Sequence, residues 1–173
     1  MRKLRNNELG RISVSTFKKT TKTPIIVVLD NIRSLNNIGS VFRTSDAFLV
    51  EKIYLCGITA KPPHRDIHKT ALGATETVPW KHFDTIDAAL QAAKDEQYEI
   101  IAVEQTHNST PLNTFSYQQQ KIALVFGNEV AGVSDTALNQ ASTCIEIPQY
   151  GSKHSFNISV SVGIVLWELL RTN

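Results

Sequence analysis

The sequence predicts an α/β fold: a mostly parallel sheet with helices on both faces. Three observations lead there. Short apolar runs alternate with segments of helical period along most of the chain, the pattern of repeated strand-then-helix units. A length of 173 residues suffices for one domain with a full core and falls short of two ordinary ones. Hydrophobic residues at 42% and charged residues at 20% give a globular composition, which excludes a disordered chain.

The elements follow in order. Residues 24–30 (PIIVVLD) are a continuous apolar run after a proline, as in a strand buried on both faces. Residues 36–48 set Ile38, Val41, Phe42 and Ser45 at helical spacing. A second strand is expected at 52–56 (KIYLC), and 57–80, with Pro62, Pro63, Pro79 and two glycines, reads as irregular. Residues 85–97 form an amphipathic helix, 99–104 (EIIAVE) and 121–126 (KIALVF) are strands, 134–141 is a short capped helix and 143–147 (TCIEI) is a last strand. The closing segment 157–171 is a helix by its length. Its apolar residues, from Ile158 to Leu170, run nearly all the way round, so burial on every side is expected. A homodimer through this helix supplies the cover; burial within the subunit is the alternative.

Charge is unevenly placed. Residues 1–24 hold seven of the 18 Lys and Arg but only one acid, Glu8, which gives a +6 arm on a body of −4 within a total of +2. Such an arm is either a polyanion-binding segment or a solvated tail. The expected division is a basic arm over 1–23 and one domain over 24–173. Cys56 and Cys144 sit in apolar stretches and read as buried free thiols of a reducing compartment. The start has no apolar core after its charges, and no run approaches the ~18 apolar residues of a membrane span. A cytoplasmic protein without membrane partners is expected.

In open parallel sheets, ligands bind beyond the carboxyl ends of the strands. The expected strand ends run into DNIRSLNNIGSVFR, EQTHNSTP, GNEVAGVS and PQYGSKHSFN, which collect Gly, Asn, Ser and Glu. Neither GxGxxG nor GxxxxGK[ST] is present, so the usual dinucleotide and triphosphate cradles are missing. His64 and His68 are four apart, but no third ligand is spaced nearby, and no metal is expected. With Lys61, Arg65 and Lys69 they read instead as a basic loop.

Three segments are recognisable: Asn37–Thr44 (NIGSVFRT), Val125–Ser134 (VFGNEVAGVS) and Ile145–Val160 (IEIPQYGSKHSFNISV). In this order they resemble the three signature motifs of the SpoU (TrmH) branch of the SPOUT methyltransferases. Departures are mild: Asn36 stands where many members have Pro, Phe156 where Leu is usual and Ser161 where Ala is usual. The resemblance implies a C-terminal trefoil knot, a homodimer, and an S-adenosylmethionine-dependent methyltransferase acting on a ribose 2′-hydroxyl of structured RNA, with tRNA favoured over rRNA. It implies a catalytic set of Arg43, Asn37, Glu129, Ser155 and Asn157. Cofactor contacts are expected from Glu104, Gly127, Ile147 and Phe156. RNA contacts are expected from Arg2, Lys3, Arg5, Arg11, Lys18 and Lys19 of the arm and from Lys61, Arg65 and Lys69.

Arg43 matches the arginine to which the family assigns activation of the hydroxyl. A guanidinium is normally a donor only, so two roles stand open. Arg43 acts as a base after losing a proton to a substrate phosphate, or it stays charged and stabilises the developing alkoxide. Asn37 is expected to cap or orient its helix, and Ser155 and Asn157 to open the last one. Two other functions compete: a non-catalytic RNA-binding or ribosome-assembly protein of the same fold, and a methyltransferase acting on a base nitrogen.

Overall fold

The computed structural model describes residues 1–171. In chain order the elements are α1 (Val14–Lys19), β1 (Thr23–Asp30), α2 (Leu35–Ala47), β2 (Val50–Cys56), α3 (Arg65–Ala71), α4 (Ala74–Thr77), β3 (Trp80–Phe83), α5 (Ile86–Asp95), β4 (Glu99–Val103), β5 (Thr110–Pro111), β6 (Ile122–Phe126), α6 (Asp135–Gln140), β7 (Thr143–Glu146) and α7 (Ile158–Leu170). Seven strands form one sheet in the order β3-β2-β1-β6-β4-β7-β5, and every adjacent pair is parallel. The order reverses at β1: β2 and β3 lie to one side, β6 and the rest to the other. The carboxyl ends of β1 and β6 therefore flank the crevice where an open sheet gathers its ligand site.

Alternation along β1 divides the interior. Ile25, Val27 and Leu29 pack with α1, α2, α3 and α7, whereas Ile26 and Val28 pack with α5 and α6. Both sets are buried, which is why the strand reads as continuously apolar. Short polar side chains begin the helices. Ser34, Thr85 and Ser134 accept from backbone amides of the first turns of α2, α5 and α6, and Asn157 does so for α7.

Four expectations need correction. The stretch 57–80 is not irregular: it holds α3, α4 and the first residue of β3. Its helices are seven and four residues long and open on His64 and Gly73 rather than on a strong cap, and β3 is a four-residue edge strand. Arg65 and Lys69 are accordingly displayed by a helix, and Lys61 by the loop that leads into it. The arm is not wholly separate from the body, because α1, capped by Ser13, buries Phe17 to 2% exposure in the main core. Cys56 is buried, but Cys144 is only half-buried, its thiol donating to the Glu104 carbonyl at 3.2 Å. Burial pushes both thiols up. Finally, α7 is not buried on every side within the subunit, the alternative to a dimer: Val160 and Trp167 are 49% and 62% exposed, with half-buried Gly163 and Ile164 between them. The exposed stripe follows helical spacing.

α2 and α3 meet without clearance at Gly39, where a Cβ would collide with the Thr70 hydroxyl and the Ile67 carbonyl oxygen. Thr70 Oγ1 also donates to the Asn36 carbonyl at 3.0 Å. Gly39→Ala is expected to destabilise the fold by about 1–3 kcal/mol, because the helices must separate to admit a methyl group. Chemical denaturation of the purified variant measures it.

Candidate active site

Glu129, in the loop after β6, crosses the crevice to the start of α2. Its two carboxylate oxygens accept from the backbone amides of Arg33 and Ser34, each at 3.0 Å, and from Asn37 Nδ2 at 3.1 Å. Asn37 Oδ1 in turn accepts from Asn157 Nδ2 at 3.1 Å, and Asn157 Oδ1 accepts from the backbone and hydroxyl of Ser159. One chain of hydrogen bonds thus joins the three loops that carry the motifs. The sequence read Asn37 as capping or orienting α2; the cap is Ser34, whose Oγ accepts from the Asn37 amide, and Asn37 itself is the link between loops. At α7 the cap is Asn157 alone, with Ser155 exposed two residues earlier.

A second layer lies beneath. Asp30, buried at the end of β1, accepts from the Ser134 amide at 3.0 Å and the Asn31 side chain at 2.8 Å. Asn128 donates to the Asn31 carbonyl at 2.6 Å, while its own oxygen accepts from the amides of Val130 and Ala131. Sequence reasoning missed both. Their signal was a polar residue directly at a strand's carboxyl end, the place where loops must be fixed. Burial raises the Glu129 carboxyl, but donation from Arg33, its own amide, Ser34 and Asn37 outweighs it and holds the group below the usual carboxylate range.

Beside this network opens a cavity of about 570 Å³ at the ends of β4, β6 and β7. Gly127, Glu129, Ile147, Ser155, Phe156 and Asn157 all line it. Gly127 is required sterically: a Cβ there would collide with the backbone of Gly132 and Val133. Glu104 also reaches the cavity, yet its carboxylate is held by the amides of Gln105 at 2.8 Å and Val133 at 3.0 Å. It fixes the 127–133 loop in position. His154 lies on the same rim, its carbonyl accepting from Gln105 Nε2 at 2.8 Å.

Arg43 is not on the cavity within one chain. It is exposed on α2 and lines a neighbouring groove with Ser40, Thr44, Lys69 and Gly163. α7 separates the two spaces, with Ser161 facing the cavity and Gly163 the groove. No hydrogen bond or ion pair engages the Arg43 guanidinium among the described residues. Lys61, Arg65 and Lys69 are exposed on α3 and the loop before it, Lys69 on the same groove as Arg43. In the arm, Lys3, Arg5, Arg11, Lys18 and Lys19 are exposed, whereas Arg2 is paired with Glu8 at 2.9 Å. Among the described residues, no three His, Cys, Asp or Glu side chains converge as metal ligands, and no helix is long and apolar enough to cross a membrane.

Comparison with known proteins agrees with this geometry. The SpoU rRNA Methylase family matches residues 24–167. A tRNA (guanosine(18)-2′-O)-methyltransferase of Aquifex aeolicus is 31% identical over 151 residues, covering 85% of this chain and 69% of that protein. The 23S rRNA (guanosine-2′-O-)-methyltransferase RlmB of Neisseria meningitidis is 28% identical over 155 residues, covering 90% and 61%. The crystal structure of an AdoMet-bound rRNA methyltransferase from Sinorhizobium meliloti superposes with a TM-score of 0.81 at 25% identity, covering 90% of this chain and 60% of that one. The chain thus spans about two thirds of the length of the curated relatives described.

The clamp generates a pH signature. Because the Glu129 carboxyl is lowered in the folded state, its stabilisation is full above the unfolded carboxylate value and is lost as pH falls through the folded one. Glu129 is exposed, so screening limits the effect to about 1 kcal/mol. Denaturation midpoints from pH 7 down to pH 3 are expected to fall less steeply for Glu129→Gln than for the wild type.

Proposed function

The chain belongs to the SpoU rRNA methylase family, and from that membership we propose that it transfers a methyl group from S-adenosylmethionine to a ribose 2′-hydroxyl of structured RNA, with tRNA preferred to rRNA. The observation that carries this reading is the hydrogen-bonded chain from Glu129 through Asn37 to Asn157, which holds the motif loops together beside a cavity. Both relatives named above are 2′-O-methyltransferases, one of tRNA and one of rRNA, and the tRNA enzyme is the more identical. The compact body, suited to a small folded target, supports the same preference. A cytoplasmic site of action belongs to this reading, as does the knotted C-terminal segment, which rests on the family likeness.

The cavity fits the cofactor. Gly127 and Ile147 line its wall, Phe156 offers an apolar surface at 43% exposure, and Ser155 and Asn157 supply polar edges. These are the surfaces needed by an adenosine joined to a charged amino-acid chain. When bound, the cofactor supplies an electrophilic methyl group on a sulfonium sulfur. The chain must hold the ribose oxygen in line with that group. Glu129 and Asn37 fix the start of α2, and α2 in turn sets the position of Arg43. With no partner among the described residues, the Arg43 guanidinium is available to grip the substrate phosphate and to stabilise the negative charge developing on the 2′-oxygen. This is the charge-stabilising role. The hydroxyl proton leaves toward solvent, to which Arg43 is exposed.

A homodimer through α7 is part of the same reading. Its support is the exposed stripe of Val160 and Trp167, together with the separation of Arg43 from the cavity within one chain. The arm is read as an RNA-binding extension whose exposed charges supplement those on α3.

Total tRNA and rRNA from a strain lacking the gene, incubated with protein and methyl-labelled cofactor, are expected to take label on tRNA and to keep it after the bases are removed. Label confined to rRNA reverses the substrate preference, and label lost with the bases overturns the ribose target. Absence of both transfer and calorimetric cofactor binding leaves the non-catalytic alternative. Arg43→Ala is expected to lower kcat by about 10²–10³ with cofactor affinity unchanged, while Arg43→Lys, which keeps the charge, retains measurable transfer. Because Phe17 is part of the core, the arm is best cut before Ser13. Removing residues 1–12 deletes Arg2, Lys3, Arg5 and Arg11 and is expected to reduce the slope of log affinity against log salt by about two to three. Cofactor binding, measured in the same preparation, stays as in the full chain.

A further inference from the structure

α3 has two solvent-facing sides, and the proposed reaction uses only one. Lys69 and Thr70 face the Arg43 groove. The opposite side walls a second cavity, of about 630 Å³, between α3, α4 and the edge strand β3. Its apolar surface is Pro62, Pro63 and the indole of Trp80. Its rim carries His68, Arg65 and Glu76, all exposed. None of these three side chains is engaged in a hydrogen bond or ion pair among the described residues, nor is the Trp80 indole N–H. A half-buried aromatic face, a free cation and a free carboxylate therefore meet in one concave space.

The cavity and the groove are held in fixed relation. α3 is seated on α2 at Gly39, where no side chain fits, and is tied to it through Thr70 and the Asn36 carbonyl. A helix with its side chains is about 10–12 Å across, so the cavity lies within about one to three nucleotides of Arg43 along a strand. Exposed Lys69 at the groove and exposed Arg65 at the cavity stand at the two ends of that path and complement a phosphate backbone.

We propose that this cavity receives one unpaired nucleobase of the RNA substrate, a neighbour of the nucleotide held at Arg43, with Trp80 as its stacking platform and Glu76 as the acceptor that reads an amino or imino N–H. Sequence-specific RNA recognition targets splayed bases in this way, stacked on an aromatic ring and hydrogen-bonded on an edge. The inference rests on the RNA-modifying reading above and adds to it a source of sequence preference. Arg43 cannot supply one, because a grip on phosphate and ribose is blind to the base.

The full-length protein tests it in two ways. Nucleoside monophosphates and a short single-stranded oligoribonucleotide are expected to quench tryptophan emission saturably, and Trp80→Phe, which leaves Trp167 as the one remaining indole, is expected to abolish the quench. Glu76→Gln is expected to change the ratio of affinities among the four monophosphates by about tenfold, the effect of one hydrogen bond. In methyl transfer, Trp80→Ala is expected to raise KM for RNA at least tenfold with kcat and cofactor affinity little changed, and Trp80→Phe to restore KM. Quenching that persists in Trp80→Phe overturns the proposal, as does a KM indifferent to Trp80→Ala. If the wild type methylates no RNA, the reaction assigned above fails while the fluorescence titration still judges the cavity. If it methylates RNA and the Trp80 variants behave as wild type, only the base pocket fails. Should Trp80→Ala not fold, Glu76→Gln and Trp80→Phe carry the decision.

Discussion

The Glu129 carboxylate is the constraint on which the site depends. Strands β1 and β6 are neighbours, but their loops diverge beyond the sheet edge, where no ladder holds them. An ionised carboxylate offers two oxygens that accept several donors at once, and here it takes two backbone amides and one side-chain amide from the far loop. This turns two independent loops into one body. Through Asn37 and Asn157 the constraint extends to the start of α7, so the helix carrying Arg43 and the helix separating it from the cavity share one reference point. Asp30 repeats the device one layer deeper, between β1 and the start of α6. Neither acid needs to touch a reacting atom for its loss to be felt there.

The all-parallel sheet explains why so much collects along one edge. Every strand delivers its carboxyl end to the same side, and the reversal of order at β1 opens the crevice that Glu129 spans. The two faces are used unequally. α1, α2, α3, α4 and α7 cover one face and carry Arg43, the basic helix and the exposed stripe, while α5 and α6 cover the other and contribute packing, with Ala89, Leu90, Ala93 and Ala137 buried.

Legibility in the sequence followed length and locality. β1, β2, β4 and β6 were readable because each carries three to five consecutive buried apolar residues, the mark of a strand covered on both faces. α5 declared itself by its period and α7 by its length. What escaped was short or depended on distant partners. α3 owes its place to Gly39, some 30 residues earlier, and has too few residues for a periodic signal. The half-exposed indole of Trp80 fell in a stretch that reads in sequence as irregular, and the cavity beside it is made by segments whose structure was itself not foreseen. Among the site residues, Asn37, Glu129 and Asn157, which the motifs name separately, are joined in the fold by hydrogen bonds. The separation of Arg43 from the cavity was invisible, since only packing decides which side of α7 each space occupies.

The burial of Phe17 has a further consequence, for the geometry of capture. The ring anchors α1 beside α4, and Lys22 lies over it at 4.4 Å, so the base of the arm is a fixed point on the body. The 13 residues before α1 span at most about 45 Å when fully extended. Any phosphate bound by Lys3, Arg5 or Arg11 is thereby confined to a sphere of that radius around α4 and encounters the α3 surface at an effective concentration set by the tether rather than by the bulk solution. A single buried aromatic thus fixes the point from which a charged extension reaches out, and the space open to its charges is set by where the chain is pinned as much as by how many charges it carries.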